Sequence, residues 1–355
     1  MADKTRLSRR DFLKLAALSG GALGSLAARG RGRLPEDDAS AKITPLKIVR
    51  VAIRQDDIFQ APSLESPIIG HRQRDEMVNV YQEFISEFGP DHNPRWYKVV
   101  GGYMHTAHLA PVETHIQPVV SRIRAGGQCF QVTVPYTQTM RYSDFDGWTP
   151  LYRLYYNSNH WVLDVTEGPD GEPWYIIEDD LLHVEYMAPG KYFRLIPDEE
   201  FAPITPEVTS KKIEVSLIDQ TVTCYENGQV VLHTSVSTGI PSLGATTNGI
   251  PTETPKGEYN VSIKTPVRHM GDGKLTSDIH AYELPGVPWS TFFTETGVAF
   301  HGTYWHDNYG GRMSHGCVNM RTEEAKWLYR WTTPVYPNEP GKWHVNGYGT
   351  RIEVF

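Results

Sequence analysis

The chain has 355 residues, of which 39% are hydrophobic and 11% aromatic, enough to bury a sizeable core and to divide into two or three domains. Its 42 acidic residues outnumber 34 basic ones, for a formal net charge of −8. That balance excludes a sequence-blind grip on nucleic acid, which requires a basic surface, and no nucleic-acid partner is expected.

At the amino terminus, Arg9 and Arg10 precede an apolar stretch from Phe12 to Ala28. A basic segment, a modest apolar segment and small residues at Ser25-Leu26-Ala27 have the order of an export leader. The run Ser-Arg-Arg-Asp-Phe-Leu-Lys at 8–14 resembles a twin-arginine signal, and residues 1–27 are assigned to it; an ordinary amphipathic helix is the alternative. The resemblance implies export to the cell envelope, into the periplasm or the cell wall. Gly, Ala and Ser interrupt the apolar run, so membrane contact is expected only through this leader if it stays uncleaved. Residues 28–45 turn from basic to acidic to small and are expected to be a linker.

From Ile48 onward, short apolar runs alternate with turn residues, the pattern of a β-rich chain. Within 46–120, the closing Trp96-Tyr97-x-Val99, Gly102-Tyr103 and Leu109-x-Pro111-Val112 resemble a bacterial SH3-like barrel. Residues 121–207 repeat the Trp-Tyr start at Trp174-Tyr175, after a hairpin expected to turn at Gly168-Pro169-Asp170-Gly171, and form a second β-rich, SH3-like unit. Barrels of this kind imply a wall or protein ligand. A third unit, 211–355, opens with strands at Ile213–Ile218, Thr221–Tyr225 and Val230–Val236, the last two joined by Asn227-Gly228. One helix is expected, with Thr322 as its cap and Ala325, Leu328 and Tyr329 on one face.

Of the three cysteines, Cys129 and Cys224 sit in apolar, strand-like runs and are expected in the core. Cys317 lies instead in "HGTYWHDNYGGRMSHGC", residues 301–317, where three histidines and an aspartate accompany it. A thiol becomes a strong nucleophile when a histidine takes its proton, and neighbouring glycine lets the backbone turn so that N–H groups face a developing oxyanion. His301, at the end of the apolar run "GVAF", is the candidate base. His301, His306, Asp307, His315 and Cys317 are also zinc-competent, although their spacing matches no common zinc pair, and a polar surface loop is a third reading.

The stretch "HGTYWHDNYGGRMSHGCVNM" resembles the catalytic signature of the L,D-transpeptidase (YkuD-type) family, supported upstream by "VSTGI" at 236–240 and "TPKG" at 254–257. The resemblance covers 211–355 and implies a mainly β fold, a C-terminal β-sandwich with a short helix, preceded by one or two small SH3-like β-barrels. It implies that Cys317 is the nucleophile, His301 its base and acid, and the Gly302 carbonyl the group that orients the imidazole. His315, Gly316 and the Cys317 N–H would shape the oxyanion turn. Ser314, Asn319, Tyr304 and Trp305 would meet substrate, a peptidoglycan stem peptide. No cofactor and no metal are implied. Water as acceptor would make the same site an L,D-carboxypeptidase. A wall-binding protein with an inactive or zinc-binding C-terminal domain is the reading from a different class.

Overall fold

The computed structural model describes residues 44–241, 252–337, 339 and 344–355. The stretch read as a leader, 1–27, and all but the end of the expected linker, 28–45, lie outside the described residues. Among those described, the fold is mainly β, with five sheets, one α-helix and three short 3-10 turns.

Residues 47–112 form a three-stranded and a five-stranded sheet over one core that includes Val49, Val80, Tyr97 and Met104. Alternation places Val78 and Val80 inside and Met77 and Asn79 outside along Met77–Val80. Residues 128–195 form one seven-stranded sheet around Phe130, Tyr175, Tyr186 and Phe193. The two Trp-Tyr strands, Arg95–Val99 and Pro173–Glu178, are each followed by a strand, a 3-10 turn and a final strand. The hairpin between Asn159–Glu167 and Pro173–Glu178 turns at 168–172, where Gly171 takes φ 76°.

The carboxy-terminal region holds two five-stranded sheets. One runs in the order Gln229–Ser235, Thr221–Glu226, Lys211–Ser216, Arg351–Val354, Gly257–Asn260. The other runs Val318–Met320, Ala299–Gly302, Glu283–Phe292, Ile263–Gly271, Val345–Asn346. Asn227 and Gly228 both have positive φ, 49° and 80°, which is the I′ turn that matches strand twist. The last strand pairs in parallel with the first, Ile213 with Ile352 and Val215 with Val354, so the two ends of the region lock together.

Ile213, Val215, Val222 and Cys224 from one sheet share a core with Trp289, Phe300 and Val318 from the other. The helix Thr322–Trp331 adds Ala325, Leu328 and Tyr329, all fully buried. Burying a side chain such as Leu328 contributes about 1.5–3 kcal/mol. Thr322 is the first helical residue and not the cap. Arg321 occupies that position without a side-chain bond, and the Thr322 hydroxyl donates to the Thr303 carbonyl. Cys129 and Cys224 are unpaired and both lie in this core.

Buried polar contacts tie the segments together. Arg50, from the first sheet, donates to Asp75 and to the Tyr304 carbonyl, each at 3.0 Å. Asp75 also accepts from Arg153 of the seven-stranded sheet at 2.6 Å. Thr44–Phe355 pack as one compact unit.

Candidate active site

The parallel pair Ala299–Gly302 and Val318–Met320 sets the site. Phe300 pairs with Val318 and His301 with Asn319. Phe300 and Val318 enter the core, so the alternation of a strand turns His301 and Asn319 to the opposite face. Cys317, one residue before Val318, falls on that same face. His301 and Cys317 are thus near neighbours across the parallel strand pair, Cys317 standing one residue before Val318 where that strand begins. Both line a cavity of ≈ 480 Å³.

The turn that delivers Cys317 is held from several sides. Gly316 adopts φ 121°, which is available to glycine and strained for other residues. The Ser314 hydroxyl donates to the Cys317 carbonyl and accepts from the Gly316 N–H at 3.2 Å, so that N–H is already engaged. The backbone N–H groups of Met313 and Ser314 donate to the Thr238 carbonyl. Thr254 donates to the Gly316 carbonyl at 2.7 Å and accepts from the Gly239 N–H. The segments at 236–240 and 254–257 therefore serve as the scaffold of the turn.

His301 is 2% exposed, and its Nδ1 lies 3.1 Å from the Gly302 carbonyl oxygen. A carbonyl can only accept, so Nδ1 carries the proton and Nε2 is left free to accept one. Burial pushes the His301 imidazole down to about 4, with the Gly302 bond opposing it. Burial also pushes the part-exposed Cys317 thiol up to about 11, against a hydrogen bond at Ala299. Both groups are neutral near pH 7. A β-carbon at Gly302 would lie 3.0 Å from Pro288 and from the Thr322 backbone, so glycine is needed for that close approach.

Trp305, Ser314, His315 and Asn319 line the same cavity. The Trp305 and His301 ring centroids are 5.7 Å apart. His315 is exposed and packs on Tyr282 at 5.2 Å. Tyr304 is not among the lining residues. It is buried, stacked on Tyr155 at 5.9 Å with its hydroxyl on the Pro285 carbonyl, so it joins segments instead of forming the wall. His306 lies behind Asn319, and Asp307 pairs with Arg95 at 2.8 Å, away from His301. Among the described residues no three His, Cys, Asp or Glu side chains converge as metal ligands.

Several wall residues escaped the sequence reading. Leu181 comes from the middle segment, and Arg268, His269 and Tyr282 come from the long hairpin. His269 is held between Asp179 at 2.6 Å and Glu283 at 2.7 Å, with all three nearly fully buried. Burial opposes the charged ring, but the two carboxylates outweigh it and raise the His269 pKa. No local pattern marks such a contact, because its partner is some ninety residues away.

Residues 210–354 match the family described as YkuD, the L,D-transpeptidase catalytic domain. No curated protein matches the chain. Among solved structures, an L,D-transpeptidase from Stackebrandtia nassauensis is 24% identical over 41% of this chain and 55% of its own, with a TM-score of 0.28. The catalytic domain of the E. faecium L,D-transpeptidase, acylated by ertapenem, is 28% identical over 41% of this chain and 96% of its own, at 0.28. One from Mycobacterium smegmatis is 17% identical over 69% of this chain and all of its own, at 0.32. The likeness to an L,D-transpeptidase catalytic domain therefore rests on residues 210–354, which hold both His301 and Cys317.

Proposed function

We propose that this chain is an exported, cysteine-dependent L,D-transpeptidase acting on peptidoglycan stem peptides. The observation that carries the reading is the shared face of His301 and Cys317, opening on one cavity, with the imidazole tautomer set by Gly302.

In the first step the Cys317 sulfur attacks the carbonyl carbon before the terminal D-Ala, and its proton passes to His301 Nε2. The C–N bond breaks, D-Ala leaves as an amine carrying that proton, and a thioester remains. An amine from a second stem then forms a C–N bond as the C–S bond breaks, its proton returning to sulfur through His301. The product is a 3→3 cross-link. A larger cavity of ≈ 990 Å³ shares Arg268, Phe292 and Gly297 with the first, and no cysteine lines it. The Gly297 carbonyl lies 3.9 Å from the Cys317 sulfur, so this second space gives an incoming amine an approach distinct from the donor's. The resemblance of residues 8–14 to a twin-arginine signal is what supports export by that route.

Intact-protein mass after incubation with ertapenem tests the chemistry. One adduct is expected on the wild type and none on Cys317→Ala or His301→Ala. A full adduct on Cys317→Ala sinks the assignment. Chelators should leave the reaction unchanged, and loss of activity restored by zinc would revive the metal reading. Retention of the folded Cys317→Ala protein on sacculi, with no turnover by the wild type, would favour the wall-binding reading.

A further inference from the structure

His306 is 4% exposed and lies outside the chemistry proposed above, yet both its ring nitrogens are engaged. The backbone N–H of Asn308 donates to Nδ1 at 3.2 Å. An N–H can only donate, so Nδ1 is bare and the ring proton of the neutral imidazole sits on Nε2. Burial pushes the His306 imidazole down to about 3, with His301 and His108 adding to the effect, which keeps the ring neutral.

The structure places the Asn319 Nδ2 2.8 Å from Nε2, nitrogen against nitrogen. A protonated Nε2 must meet an oxygen there, and the two ends of an amide are assigned by the hydrogen bonds they make. The Asn319 oxygen therefore belongs on His306 and the NH2 at the opposite end. The atom placed at that opposite end, Oδ1, is buried and has no partner among the described residues, and the exchange puts the NH2 there; Asn319 lines the cavity of Cys317 as the register partner of His301. On the other side, Asn308 is gripped from the amino-terminal sheets. Asn93, 3% exposed, donates to the Asn308 side-chain oxygen at 3.0 Å and to the Asp307 carbonyl at 3.2 Å. The Ser237 hydroxyl fixes the Asn308 carbonyl at 2.6 Å.

We propose that His306 is a positioning residue: held in its Nε2–H form by Asn308, it turns the Asn319 amide so that the NH2 faces the Cys317 cavity as a donor to a substrate carbonyl oxygen. Asn93 anchors the relay, so the segment at 47–112 helps to set the site. The kinetic part rests on the transpeptidase reading; the tautomer does not.

Two experiments on the full chain test it. Long-range proton–nitrogen NMR, with His306 assigned by its loss in His306→Gln, is expected to show a protonated Nε2 and a bare Nδ1, unchanged from about pH 5 to about pH 8. A proton on Nδ1, or a ring that titrates in that range, overturns the proposal. Glutamine reaches Asn319 from position 306 and asparagine does not. His306→Gln should keep the maximal ertapenem acylation rate within about threefold, whereas His306→Asn should lose about tenfold, with the half-saturating concentration little changed. Asn93→Ala, remote from the thiol, should lose about threefold. Alkylation of Cys317 by iodoacetamide, which needs no donor from Asn319, should be unaltered in all three. Equal rates for His306→Gln and His306→Asn overturn the relay. If the wild type shows the expected tautomer but forms no ertapenem adduct, the transpeptidase reading fails and the relay stands.

Discussion

The resting state of the Cys317–His301 pair can be read from the rate at which a small neutral reagent alkylates the thiol. With the thiol pushed up to about 11, only about one molecule in ten thousand is thiolate at pH 7. A free cysteine, with a pKa of about 8.5, is roughly 3% thiolate, a difference of roughly 300-fold. A more basic thiolate is the stronger nucleophile, which returns a factor of roughly ten to twenty at a Brønsted slope of about 0.4–0.5. Iodoacetamide should therefore alkylate Cys317 roughly twentyfold more slowly than a free cysteine peptide at pH 7, and the rate should climb tenfold per pH unit through about pH 9. Mass mapping isolates the signal, because Cys129 and Cys224 are buried and should not react. A plateau below about pH 8, the mark of a preformed thiolate–imidazolium pair, would refute the reasoning. A neutral pair gives His301 its role: it must take the proton during attack, so His301→Ala should slow acylation far more than alkylation.

Four further outcomes are expected. Burial holds His301 down to about 4, and His306 and His160 each down to about 3, so all three bind protons more readily unfolded; their stabilising contribution is present above about pH 6.5 and is lost as pH falls. Urea unfolding should lose up to about 1.4 kcal/mol per pH unit for each of them between about pH 6 and pH 5. His269 has the opposite sign: its folded pKa is raised, so its contribution is complete below about 6.5 and is lost as pH rises through the folded value, and His269→Gln should flatten the alkaline side of the stability curve. Asp75→Asn leaves Arg50 buried without its carboxylate and should cost about 3–5 kcal/mol in thermal or urea unfolding; a loss under about 1 kcal/mol would show that the pair does not hold the segments together. Gly302→Ala forces Pro288 or the helix start aside, and should lower ertapenem acylation by at least about tenfold with about 1–3 kcal/mol of stability.

Local chemistry explains which parts were legible in the sequence. Asn227-Gly228 announces its turn because two successive positive φ angles need those residues. The run from His301 to Asn319 is legible because its chemistry-bearing residues stand close together in the chain, at the two ends of one parallel strand pair and one glycine turn, although Thr238 and Thr254 hold that turn from outside it. Thr322 was misread as a cap because the backbone of Thr303, nineteen residues earlier, captures its hydroxyl. Tyr304 looked like a wall residue beside Trp305, but the side chains of neighbouring residues diverge, and only the fold shows that Tyr155 waits on one side and the cavity lies on the other. Leu181 and Asp179 reach the site through sheet packing across some ninety residues, for which no sequence period exists.

The most direct measurement is the intact mass of the wild-type protein quenched during reaction with a disaccharide tetrapeptide. An increment equal to the donor less one alanine, mapped to Cys317 and lost on thiolysis, is the expected result. An unchanged mass with the donor consumed, or an increment on any other residue, contradicts attack by this sulfur.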